Sequence, residues 1–136
     1  MRYAYYPGCS LERNASAYHK STLAISAQLG LEFKEVDDWN CCGATEYMSI
    51  DVLPAYALVS RNLALAARQP GNGHQLVAPC SMCYLNLSKT DHYMANSPEL
   101  ARQINASLEA GGLNYTPGSV QVRHLLDIFV RNSLVK

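Results

Sequence analysis

At 136 residues, 49% of them hydrophobic, the chain is long enough to close one domain over residues 1–136 around a real core. Eleven basic and eleven acidic residues cancel, with no run of either sign, which excludes the basic surface that nucleic acid or an anionic membrane would require. The start, Met1-Arg2-Tyr3-Ala4-Tyr5-Tyr6-Pro7, has no apolar leader region and no stretch approaches about 18 apolar residues, so a cytoplasmic setting without membrane insertion is expected.

Residues 2 to 6 are Tyr-rich and predict a strand, stopped by Pro7-Gly8 just before Cys9. Leu11, Ala15, Tyr18, Thr22, Ile25 and Leu29 then step by four and three, predicting one amphipathic helix closed by Gly30. Leu31 to Val36 reads as a second, edge-like strand. From Asp51 to Arg68 a helix carries Ala55, Leu58, Val59, Asn62, Leu63 and Ala66 on one face, with Pro54 tolerated in its first turn. Gln69-Pro70-Gly71-Asn72-Gly73 ends it, and Gln75 to Ala78 forms a third strand before Pro79-Cys80. Ser97-Pro98 opens a helix that runs to Gly111-Gly112, with Leu100, Ile104 and Leu108 inward. Val120 to Arg123 is a fourth strand and His124 to Val130 a closing helix.

Strands alternating with helices predict an α/β fold with a four-stranded, mainly parallel sheet and helices on both faces, of Rossmann or flavodoxin type. Ligands of such sheets bind beyond the carboxyl ends of the strands, where the strand order reverses. Cys9, Cys41, Cys42, Cys80 and Cys83 all follow strands and are expected on that edge, with His124 nearby.

The cysteines carry the chemistry. Thirty-one residues separate Cys9 from Cys41 and thirty-seven separate Cys42 from Cys80, so the thiols meet only if the chain returns three times to one place. An odd count argues against a disulfide framework. In a reducing compartment, clustered cysteines bind metal or do redox chemistry. Zinc would use four of the five, and adjacent thiolates on one tetrahedral ion would close a strained ring, whereas a polynuclear cluster can use both. Iron and sulfide are therefore the leading reading, with zinc, thiol redox chemistry and unliganded structural cysteines left open.

Cys9-x31-Cys41-Cys42-Gly43-x36-Cys80-x2-Cys83 resembles the cysteine-rich CCG domain best known from heterodisulfide reductase, and in particular the first half of the CCG-bearing subunit of that enzyme. The flanks Tyr6-Pro7-Gly8-Cys9, Trp39-Asn40-Cys41-Cys42-Gly43 and Ala78-Pro79-Cys80-Ser81-Met82-Cys83 carry the same resemblance, as does the run Arg123 to Leu126. It implies that Cys9, Cys41, Cys42, Cys80 and Cys83 ligate a non-cubane [4Fe-4S] cluster that delivers electrons to a disulfide or thiol substrate. It also implies an iron-sulfur electron-donor subunit and, since such subunits carry two of these motifs, a second CCG module as partner. The alternative within the family is an electron-relay module in lactate, glycolate, glycerol-3-phosphate or succinate oxidation.

Among the remaining residues, His124 is a candidate catalytic proton donor because of its expected place at the strand edge. His19, His74 and His92 carry no such signal, and Tyr3 and Tyr5 read as core. Trp39 is expected to shield the site from water, and Pro7, Trp39 and Met82 to form an uncovered apolar rim. Gly8 and Gly43 read as backbone devices for tight turns and close approach.

Overall fold

A computed structural model describes residues 2–134 of the chain. Among them, four strands form one sheet: β1 (Arg2–Tyr5), β2 (Glu32–Glu35), β3 (Gln75–Ala78) and β4 (Gln121–His124). Their order is β2-β1-β3-β4 and every neighbouring pair is parallel. The helices are α1 (Cys9–Glu12), α2 (Ser16–Gln28), α3 (Glu46–Ile50), α4 (Val52–Arg68), α5 (Ser81–Asn96), α6 (Pro98–Glu109) and α7 (Leu125–Leu134). The fold class expected from the sequence is the one found.

Strand alternation divides the core into two layers. Ala4, Tyr6, Leu76 and Ala78 face Val59 and Leu63 of α4, Leu87 and Met94 of α5, and Ile104 and Leu108 of α6. Tyr3 and Val77 point the other way, onto Leu31 and onto Leu125 and Ile128 of α7. Tyr5 shares that second face, stacked on Phe33 and on His19 of α2. Leu63, Leu76 and Leu87 are fully buried, each contributing about 2 kcal/mol by leaving water. β1 and β3 are central, and the crossovers reverse direction between them, so the switch point of the sheet lies where Cys9 and Cys80 emerge.

Three features differ from the expected elements. The single helix from Leu11 to Leu29 is two, because Arg13 and Ala15 both donate to the carbonyl of Ser10 and close α1 after one turn. The inner face of α2 is carried by Thr22 and Ser26, while Tyr18 and Ile25 are exposed. Those hydroxyls can be buried because they donate to the carbonyls of Tyr18 and Thr22, at 2.9 and 2.6 Å. Finally α5, which the polar residues Lys89, Asp91 and His92 hide in the sequence, buries Cys83, Asn86, Leu87, Thr90 and Met94 along one stripe.

Candidate functional site

β1 carries its pairing to the sheet edge, where Tyr6 donates from its backbone to Val77 O at 2.9 Å. Gly8 follows with φ 81°, and a Cβ there would stand 2.9 Å from Cys83 Sγ. A side chain at this position would fill the space beside a thiol. Cys9 then opens α1 and is exposed. On the neighbouring strand, Pro79 leads to Cys80 at the N-cap of α5, with Cys83 in its first turn. The amino end of α5, where unpaired N–H groups favour negative charge, thus holds two thiols.

Cys41 and Cys42 lie in a segment with no helix or strand, tied down by asparagines. Asn62 of α4, fully buried, accepts from Asn40 N and donates to Asn40 O, both at 2.9 Å. Asn40 O also accepts from Tyr6 Oη at 2.6 Å, and Asn40 Nδ2 donates to Leu58 O and Cys41 O. From the other side, buried Asn86 of α5 donates to Ala44 O at 2.9 Å and Cys42 O at 3.4 Å. Sequence reasoning placed Asn62 only on an apolar helix face; a buried asparagine at such a position was the available signal that a loop backbone needed a partner. Asn62→Ala is expected to cost about 2–3 kcal/mol, because both backbone groups of Asn40 lose a buried partner, as read by denaturant unfolding.

The thiols form a connected chain. Cys9 and Cys41 stand 3.5 Å apart, Sγ to Sγ, and Cys42 and Cys83 share a proton across 3.5 Å. Cys80, half-buried, packs against the core layer that includes Cys83. Gly43 N donates to Cys41 Sγ at 3.3 Å. Hydrogen bonding with Cys83, with further help from Ala44 N–H and Asn86, lowers the Cys42 pKa to about 6. The same hydrogen bond, reinforced by burial, pushes Cys83 far up. Burial raises Cys41 against the opposing Gly43 N–H. Tyr6 is held neutral by burial and then by Cys83, Cys42, Cys41 and Cys9. Among the described residues, no three His, Cys, Asp or Glu side chains are grouped as a single-ion site. The donor set is five sulfurs on one sheet edge, a set suited to metal or iron-sulfur binding.

His124 pairs with Ala78 across β3 and β4, and so reaches the same edge. Its Nδ1 accepts from Leu126 N at 3.1 Å, capping α7, which leaves Nε2 to carry the proton toward Ser81 Oγ at 3.4 Å. Tyr84 packs edge-on against the ring. His19, which carries no site signal in the sequence, bonds the phenol of Tyr5 at 3.0 Å. The rim differs too: Pro7 is buried beneath the site, and Trp39, half-buried, packs edge-on against Tyr6. Exposed apolar side chains gather one step further out, where Tyr47, Ile50 and Leu58 flank a groove of about 190 Å³ beside the Gly43 turn. A larger hollow of about 490 Å³ lies at the opposite, amino ends of β3 and β4 around His74 and Asp91, away from every thiol.

The cysteine-rich domain family model, CCG, matches residues 3–88, which span all five cysteines and most of the chain. The chain belongs to the CCG cysteine-rich domain family. His124 lies outside the matched residues. Over 130 residues this CCG chain is 32% identical to the 8-methylmenaquinol:fumarate reductase membrane anchor subunit of Wolinella succinogenes, covering 96% of the chain and 44% of that protein. The chain therefore spans less than half the length of this relative. A crystal structure of a hypothetical protein from Helicobacter pylori shares the fold, with a TM-score of 0.79 and 20% identity over 93% of this chain and 24% of that one. Among the described residues no helix is long and apolar enough to cross a membrane, while the Wolinella protein is named a membrane anchor subunit, so the cytoplasmic expectation gains nothing from it.

Proposed function

We propose that this CCG domain holds an iron-sulfur cluster on Cys9, Cys41, Cys42, Cys80 and Cys83 and serves as an electron-relay module within a multi-subunit oxidoreductase. The observation that carries the reading is the convergence of five thiols, one more than zinc takes, at the switch point of a parallel sheet. The residues fit such a group: a sulfur-rich donor set, a glycine that keeps the space beside Cys83 open, and the amino end of α5 to offset negative charge. When bound, the cluster, of the non-cubane [4Fe-4S] type that the sequence resemblance implies, supplies one-electron transfer. Tyr6 and Trp39 cover one side against water, and the asparagine ties fix Cys41 and Cys42.

Likeness to a fumarate reductase membrane anchor subunit favours a relay in quinol- or dicarboxylate-linked electron transfer within a membrane-associated complex. Reduction of a disulfide substrate is the second reading, favoured by the exposure of Cys9 beside Cys41, where such a substrate could approach. In either case the partners are an iron-sulfur electron-donor subunit and a second CCG module, for which the apolar ledge of Tyr47, Ile50 and Val52 offers a surface. Magnetic resonance of the anaerobic, assembled complex separates the two: reoxidation of the cluster signal by fumarate supports the relay, whereas a signal perturbed only by a disulfide supports reductase chemistry.

His124→Ala is expected to keep iron and sulfide, to cost about 1 kcal/mol through loss of the α7 cap, and to slow disulfide turnover if that chemistry operates. Unchanged turnover, measured beside a denaturation curve, confines His124 to the cap.

A further inference from the structure

The Cys80-x-x-Cys83 spacing suggests a redox dithiol on one helix turn, yet the fold gives Cys83 a nearer companion. Cys83 Sγ lies 3.5 Å from Cys42 Sγ, and Asn86, one turn further along α5, holds the carbonyls of Cys42 and Ala44 against that helix. Cys9 Sγ stands 3.5 Å from Cys41 Sγ, at the exposed end of α1. Each pair needs a closure of about 1.5 Å to reach bonding distance, and one member of each sits in the irregular segment around Cys41 and Cys42, whose asparagine ties must loosen to allow it.

We propose that in the cofactor-free chain Cys9 with Cys41, and Cys42 with Cys83, are paired modification sites that close as two intramolecular disulfides, leaving Cys80 as the one free thiol. The oxidant is a small organic disulfide such as oxidised glutathione. The exposed Cys9 thiolate attacks one sulfur of that disulfide and releases one small thiol. Cys41 then attacks the Cys9 sulfur of the mixed disulfide, and the second small thiol leaves. Two protein thiols are thereby oxidised to one disulfide, and one small disulfide is reduced to two thiols. The buried pair closes second, when the loop opens and a second molecule of the small disulfide is reduced to two thiols by the same two exchange steps on Cys42 and Cys83. The closed form shelters four thiols from irreversible oxidation, and a reductant must open it before a metal or cluster is loaded.

This inference rests on the thiol geometry and not on which metal the site holds, so its failure leaves the iron and sulfide contents untouched. The test is peptide mapping without reduction of the folded full-length chain, freed of iron by anaerobic chelation and treated with oxidised glutathione. The expected result is a loss of four hydrogen masses, peptides joined Cys9 to Cys41 and Cys42 to Cys83, and an alkylating reagent found on Cys80 alone. The Cys80→Ser variant keeps both bonds, with no thiol left to alkylate. A Cys80–Cys83 or Cys41–Cys42 bond as the main product, scrambled pairing, or five thiols still open overturns the proposal.

Discussion

Replacing Cys42 with serine is expected to lower bound iron and sulfide at least about tenfold, since altering a group that merely orients a ligand already costs about 10–100-fold in affinity. Cys42 is the most constrained of the five: neighbour of Cys41, proton partner of Cys83, and held through its carbonyl by Asn86. Its carboxyl-side turn is fixed as well, by Gly43 and Ala44 at positive φ. Trp39→Phe keeps a ring against Tyr6 and removes no sulfur, so iron content in that variant stays near normal. Iron and acid-labile sulfide assays with the visible spectrum of anaerobic protein make the comparison. If Cys41→Ser and Cys42→Ser both keep normal iron and an unchanged spectrum, the adjacent pair is no ligand, and zinc or thiol chemistry regains weight.

Gly43→Ala is expected to destabilise the fold by about 2–4 kcal/mol, through strain and overpacking together. Gly43 has φ 81°, which an L side chain rarely adopts, and its Cβ would stand 2.2 Å from Tyr47 Cδ2 and 2.3 Å from Cγ. The tyrosine ring must leave, and with it the start of α3 that follows the cysteine loop. Denaturant unfolding of the single variant and of the Gly43→Ala, Tyr47→Ala pair separates the two causes. The double variant removes the ring clash and keeps the backbone strain together with the 2.7 Å contact to the Cβ of residue 47, a remainder of about 1–2 kcal/mol. Equal destabilisation of the two would mean that Tyr47 does not pack on the glycine.

Two strands were legible because each ends in a stop, Pro7-Gly8 after β1 and Pro79 after β3, and β2 showed an edge-like polar pattern. Ser97 and Pro98 announced α6, and Ser97 Oγ does accept from Leu100 N at 3.2 Å. From those strand ends the sheet edge shared by the cysteines could be inferred, and the fold brings Cys9 to Cys41 and Cys42 to Cys83. What stayed hidden has a common physical cause: polar side chains satisfied inside the protein look like surface in a sequence. Thr22 and Ser26 turn α2 around by bonding their own helix, Asn86 sits on the buried stripe of α5, and Asn62 closes the cysteine loop from within a helix face otherwise apolar. His19 belongs with them, since its partner, the phenol of Tyr5, is fourteen residues away. Pro7 misled in the opposite sense, its apolar ring being buried under the site rather than left at its rim.

The central claim is that five converging thiols hold iron and sulfide. Its most direct test is the content of iron, acid-labile sulfide and zinc in the chain purified without exposure to air. The account predicts a brown protein with iron and sulfide in comparable amounts, bleaching when air is admitted because Cys9 and its surroundings lie open to oxidants. Stoichiometric zinc without sulfide, in protein that keeps all five thiols reduced, would contradict it.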